Sequence, residues 1–189
     1  MSNEAARLAG TEPVPERSHS KGASDINIAP PVAEDAAEIH ALIAACPPLD
    51  CNSLYANLIQ CAHFASACAV ARIDGKVAGW VSGHRPPEES ATYFLWQVAV
   101  DPEVRGRGLA RRMLAEILSR PEQSRTRRLK TSITRGNEAS WRLFKSVSAW
   151  LGAPMREELW FDRERHFGGQ NESEFLVTIG PFAMTGEPA

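Results

Sequence analysis

Several things are missing from this chain. Its four cysteines, at 46, 51, 61 and 68, form no CxxC pair, and no histidine stands at a metal-ligand spacing from them. That argues against a zinc ribbon or finger, and no metal cofactor is expected. The same cysteines read as free, mostly buried thiols of a protein kept in a reducing cytoplasm. Long apolar runs are absent too. The longest stretch without Asp, Glu, Lys or Arg, Cys51 to Ala71, is broken by Asn52, Ser53, Asn57, Gln60 and His63, so no membrane span is expected. The first 22 residues have no apolar core, which argues against a secretory signal. Strong charge of one sign is missing as well: the net charge is −2, which excludes a globally basic nucleic-acid binder. No internal repeat is visible.

The chain has 189 residues, 43% hydrophobic and 23% charged, ordinary values for one globular domain with a tail. Residues 1–24, rich in Pro, Gly, Ser and charge without periodicity, read as a disordered tail. The folded domain is expected over 25–183, with 184–189 frayed. Charge is unevenly placed. From Glu103 to Lys145 there are twelve Lys or Arg against four Glu, a local excess of +8. A charge run is usually a solvated face, but an asymmetry this large suggests that the middle of the chain meets an anion.

Pattern and turn chemistry place the elements. Ile26 to Ile28 read as a short strand and Glu34 to Ala45 as a helix stopped by Pro47-Pro48. Asn52 or Ser53 can cap a second helix with Leu54, Leu58 and Ile59 inward. Cys68 to Ile73 and Val77 to His84 read as strands joined by the Asp74-Gly75 hairpin turn. Thr92 to Val100 is a longer strand, rich in β-branched and aromatic residues. Leu109, Met113, Leu114, Ile117 and Leu118 mark an amphipathic helix. A strand over Leu129 to Ile133 follows, then a helix after Asn137. Two final strands, Leu159 to Phe161 and Phe175 to Ile179, flank a loop. The pattern predicts an α+β fold, a mixed but mostly antiparallel sheet of six or seven strands with about four helices on it.

The most informative segment runs from a buried strand through Arg105-Gly106-Arg107-Gly108-Leu109-Ala110 directly into a helix. Glycines let backbone amides approach a ligand, and a helix start offers unpaired N–H groups and a positive dipole end. The combination is a phosphate cradle, differently spaced from a P-loop or a dinucleotide fingerprint. R-x-x-G-x-[GA] at such a turn resembles the acetyl-CoA pyrophosphate loop of the GNAT superfamily of N-acetyltransferases. Further along, Asn137-Glu138-Ala139-Ser140-Trp141-Arg142-Leu143-Phe144 resembles that superfamily's helix beside the CoA arm. The resemblance implies acetyl-CoA as cosubstrate. It assigns pyrophosphate to the amides of Gly106, Gly108, Leu109 and Ala110, with Arg105, Arg107 and Arg112 supplying charge. Asn137 joins the cofactor contacts, and Arg111 and Arg112 read equally well as a solvated face. A splayed fourth strand, here Trp96 to Val100, implies cofactor contacts at Val98 and Val100, with the Val98 N–H directed to the thioester carbonyl.

A narrower resemblance rests on Pro47-Pro48-Leu49-Asp50-Cys51-Asn52-Ser53-Leu54-Tyr55, on Phe94-Leu95-Trp96-Gln97-Val98-Ala99-Val100, and on Glu158 with the final FDRERHF-to-GPF stretch. These resemble the L-2,4-diaminobutyric acid acetyltransferases of ectoine biosynthesis. One departure is visible: Asn171-Glu172-Ser173-Glu174-Phe175 replaces that family's acidic, histidine-bearing segment. The resemblance implies acetyl transfer to the 4-amino group of L-2,4-diaminobutyrate by direct attack in a ternary complex, in a cytoplasmic homodimer without nucleic-acid or membrane partners. Asp50, Asn52 and Trp96 become acceptor-binding candidates; capping and core packing are their plain alternatives.

An alkylammonium has a pKa of about 10, so the enzyme must remove a proton before the amine can attack. Glu158 is the first candidate base, on the expectation that burial raises its pKa; an ion pair with Arg156 is its alternative. Tyr55, one turn from Asn52, is a candidate donor. The superfamily's tyrosine acid is here Phe144, which cannot donate. That substitution keeps a non-catalytic CoA-binding module in view, beside an acetyltransferase for another diamino acid or a polyamine. His40, His63, His84 and His166 read as surface or core histidines.

Overall fold

The computed structural model describes residues 25–183; the expected N-terminal tail and frayed C-terminus lie outside them. Seven strands form one sheet in the order β1-β2-β3-β4-β5-β7-β6. They are β1 (Ile26–Ala29), β2 (Ala69–Ile73), β3 (Lys76–His84), β4 (Thr92–Val100), β5 (Arg128–Thr134), β6 (Met155–Phe161) and β7 (Glu174–Ile179). The helices are α1 (Ala36–Ala44), α2 (Leu54–His63), α3 (Leu109–Ser119), α4 (Glu138–Leu151) and the short α5 (Arg163–Phe167). Every neighbouring strand pair is antiparallel except β4 with β5, so the mixed, mostly antiparallel α+β expectation holds.

Two cores lie on opposite faces. α3 and α4 cover one face: Leu109, Met113, Leu114, Ile117, Leu118, Phe144 and Val147 pack on Val81, Tyr93, Leu95, Leu129 and Val177. α1 covers the other, where Ile39, Leu42 and Ile43 meet Val70, Trp80 and Ala99. The Asp74-Gly75 hairpin forms as expected, both residues at positive φ, 50° and 82°.

Three local expectations are corrected. In α2 the buried residues are Asn57, Gln60 and Cys61, whereas Leu54 and Leu58 are exposed and Ile59 is half-buried. The helix is rotated so that Asn57 finds partners for both ends of its amide and Gln60 for its oxygen. Asn57 Oδ1 lies 3.1 Å from His40 Nδ1, and Asn57 Nδ2 donates to Gln60 Oε1 at 3.2 Å, which removes much of the penalty of burying them. The expected loop before the last strand contains α5, because the Asp162 carboxylate accepts from the backbone N–H groups of Glu164 and Arg165. Finally, β6 starts at Met155, four residues before the apolar run that predicted it.

The feature that positions the site is in β4. Ser82 pairs with Gln97 and Gly83 with Leu95, so Trp96 has no partner and forms a β-bulge. Pairing of β4 with β5 covers only Thr92–Phe94, while β5 continues to Thr134 against β7. Beyond Phe94 the two parallel strands therefore part.

Candidate active site

The opening between β4 and β5 leads into a cleft of about 780 Å³. Val98 and Val100 of β4 line it, with Arg105, Gly106, Arg107, Gly108, Leu109 and Ala110 at its far end. Asn137, the N-cap of α4, completes the predicted cofactor set, all nine of whose residues border this one space. Hydrogen-bond parity explains why β4 is open there. The Asp101 N–H donates to the Ala78 carbonyl at 3.0 Å, which makes 80/99 and 82/97 the mutually bonded pairs of β3 and β4. The N–H groups of Val98 and Val100 then point away from β3, toward the gap left by β5. A carbonyl oxygen placed in the gap would meet the Val98 N–H as a donor fixed before any charge develops.

At the other end, Gly106 and Gly108 sit at φ 78° and 73°, conformations that only glycine adopts at little cost. Gly108 is the N-cap of α3 and brings no side-chain cap, so the first N–H groups of the helix stay open toward the cleft. The Arg105 Nε donates to the Val100 carbonyl at 3.0 Å, tying this loop to the end of β4. Arg111 and Arg142 add positive charge to the lining, but Arg112 does not; one residue along α3 turns it away. The Asn137 side-chain oxygen caps α4 by accepting from the Ser140 N–H at 3.1 Å, leaving its NH₂ as the part that can serve a ligand.

The other predicted residues lie outside this cleft. Pro47, Pro48 and Leu49 form part of its wall, and the same loop then carries exposed Asp50 and half-buried Asn52 to the rim. Ser53 caps α2, so Asp50 and Asn52 are not needed as caps. Tyr55, 70% exposed, stands in the first turn of α2. Trp96, at the bulge and 51% exposed, packs edge-on against His84, their centroids 6.3 Å apart. Phe94 lies 5.3 Å from the same histidine. Burial among these rings lowers the His84 pKa, favouring the uncharged ring. Glu158 is exposed on edge strand β6, against the expectation that burial raises its pKa; Trp160 of the same strand nevertheless reaches Phe94 of β4, their ring centroids 5.7 Å apart. The ion pair formed by this part of β6 belongs to its neighbour, Glu157 with Arg135 at 2.7 Å. Phe144 is core, 3% exposed. In the departing segment, Phe175 lies under the Arg135 guanidinium at 3.7 Å.

Ala139, Ser140 and Leu143 of the segment read as the helix beside the CoA arm do wall the cleft; sequence reasoning did not reach Ser146, which extends that wall, nor Cys46, whose thiol donates to the Val100 carbonyl at 3.3 Å. The signal for that wall was present as residues at helical spacing on one face. Among the described residues, no cluster of three or more His, Cys, Asp or Glu could hold a metal ion, and no helix is long and apolar enough to cross a membrane.

Residues 36–150 match the acetyltransferase (GNAT) family. The chain is 46% identical over 157 residues to the L-2,4-diaminobutyric acid acetyltransferase of Methylotuvimicrobium alcaliphilum, covering 83% of this chain and 91% of that protein. It is 42% identical to the protein of the same name from Halomonas elongata, over 85% of this chain and 83% of the other. The solved diaminobutyrate acetyltransferase EctA of Paenibacillus lautus, in complex with L-2,4-diaminobutyric acid and coenzyme A, superimposes with a TM-score of 0.81. That match is at 29% identity and covers 86% of this chain and 98% of that one. The ribosomal-protein-S18-alanine N-acetyltransferase of Escherichia coli, at 17% identity and a TM-score of 0.57, shares the fold. With the glycine turn, the parted strands and these likenesses together, the chain belongs to the acetyltransferase (GNAT) family, in the group formed by the L-2,4-diaminobutyric acid acetyltransferases.

Proposed function

We propose that this protein transfers the acetyl group of acetyl-CoA to the 4-amino group of L-2,4-diaminobutyrate. The products are N4-acetyl-L-2,4-diaminobutyrate and CoA, a step of ectoine biosynthesis. The observation that carries this is the single cleft joining the amides of the Arg105–Ala110 turn to the open edge of β4. Acetyl-CoA supplies the acyl group as an activated thioester. The amides of Gly106, Gly108, Leu109 and Ala110 hold pyrophosphate, helped by Arg105 and Arg107, while Val100 and Asn137 guide the arm. The Val98 N–H takes up the negative charge that builds on the carbonyl oxygen.

The acceptor enters over the Pro47–Asn52 loop. Asp50 pairs with an ammonium, Asn52 offers its amide, and Trp96 gives an aromatic wall to the alkyl chain. Glu158 stands on an exposed edge, so its part in removing the ammonium proton runs through water. With Phe144 buried, the leaving thiolate takes its proton from Tyr55 or solvent. The working unit is a cytoplasmic homodimer.

The test is thiol release from acetyl-CoA with L-2,4-diaminobutyrate, 2,3-diaminopropionate, ornithine, lysine and putrescine compared. Release fastest with diaminobutyrate, and lost in Asp50→Ala, is the expected result. Faster release with another amine would overturn the acceptor assignment; acetyl-CoA binding without release for any amine would overturn catalysis itself.

A further inference from the structure

Gln97 is a buried polar side chain on the face of the sheet that packs under α1, opposite Ser82 of β3. It is 8% exposed and two residues from Ala99, which packs with Trp80 and Val70 under α1. A buried amide there is costly unless both ends are bonded. Both are, and both bonds go to one loop. Gln97 Nε2 donates to the Asp50 carbonyl at 2.9 Å, and Gln97 Oε1 accepts from Asn52 Nδ2 at 3.4 Å. The same loop presents Pro47, Pro48 and Leu49 to the cleft, so the segment that walls the cleft is tied to β4 through Gln97.

The bulge at Trp96 gives this contact its importance. The extra residue resets the alternation of β4: Leu95 and Val98 both pack with the α3–α4 core, and Gln97 faces the other way, toward the loop. Three consecutive residues thereby face three tasks: the Trp96 ring toward His84, the Gln97 amide toward the loop, and the Val98 N–H toward the gap.

We infer that Gln97 is a positioning residue that fixes the acceptor-binding loop in register with the strand carrying the thioester donor. The inference rests on the acceptor reading of Asp50 and Asn52 given above. Gln97 does not touch the reacting atoms. It sets where the Asp50 carboxylate and Asn52 amide stand relative to the Val98 N–H, and small misplacements of this kind are expensive in a bimolecular transfer.

Gln97→Met keeps the volume and removes both hydrogen bonds. The expected result is an acceptor KM raised about 10-fold or more, with acetyl-CoA KM within about 2-fold of the wild type. Asn52→Ala combined with Gln97→Met should fall short of the product of the single effects, because the two share a contact. Amide hydrogen exchange of residues 47–53, measured without acceptor, should quicken in Gln97→Met and in Asn52→Ala. An unchanged acceptor KM with unchanged exchange, or equal losses in both KM values, would overturn the inference. The kinetics use whichever amine the wild type turns over best. Failure of the diaminobutyrate assignment therefore shows in the wild type, and failure of this inference shows in the variants. Should Gln97→Met not fold, exchange in Asn52→Ala decides the matter.

Discussion

Cys51 lies exposed between Asp50 and Asn52, while Cys61 and Cys68 are buried. Burial, with the nearby Asp35 charge, pushes the Cys61 thiol up to about 11, and burial pushes Cys68 up to about 12. A thiol that keeps its proton is a poor nucleophile. Native labelling with a maleimide followed by mass spectrometry should mark Cys51 fast and leave Cys61 and Cys68 unmarked. Cys46 is buried but borders the cleft, so any labelling there should be suppressed by CoA. The same shifts set an alkaline limit. In the unfolded chain these thiols ionise near about 8.5, so above that pH the folded state binds more protons and stability falls as pH rises. Urea midpoints that decline from pH 9 upward are expected; a flat profile to pH 11 would contradict the burial of both thiols.

The turn from β4 into α3 works as an element because of its backbone. A Cβ at Gly108 would meet nothing within 4 Å, so the cost of Gly108→Ala comes from holding φ at 73°. That is about 1 kcal/mol. If the loop keeps its shape, the cost appears as lost stability. If the loop relaxes, the amides lose their aim and acetyl-CoA binding weakens about fivefold. Calorimetric titration with CoA alongside a melting curve separates the two, and the expectation is weaker binding at nearly unchanged melting temperature, because the loop is exposed. Wild-type affinity in the variant would mean that the Gly108 geometry does not serve the ligand.

At the scale of the molecule, Arg120 ties together segments more than 50 residues apart in the chain. It follows the last residue of α3 and is 9% exposed. One of its terminal nitrogens donates to the carbonyls of Ala65, Ser66 and Cys68 at 3.0, 3.0 and 2.8 Å, and its other nitrogen pairs with Glu116 at 2.5 Å. The end of α3 is thereby fastened to the turn that feeds β2. Arg120→Leu would take this donor from the buried Cys68 carbonyl and leave the Glu116 carboxylate unpaired, at a cost of about 1–3 kcal/mol. Chemical denaturation measures this directly; a loss below about 1 kcal/mol would show that these groups find other partners.

Much of this was written in local sequence. Thr92–Val100 was found residue for residue, because β-branched and aromatic residues bounded by Pro-containing turns determine a strand locally. The glycine turn and its helix were equally legible, since glycine admits positive φ at little cost and brings no side-chain cap to a helix start. Tertiary structure decided what depends on contacts between distant segments. It turned α2 so that Asn57 and Gln60 go inward, because His40, in another helix, bonds to Asn57. It left Glu158 on an exposed edge, because β7 inserts between β5 and β6. It gave Gln97 its partners, 47 and 45 residues away in the chain. Periodicity reports which residues are apolar and how they repeat. Which polar groups meet, and which face a helix turns inward, is settled only when the chain has closed on itself.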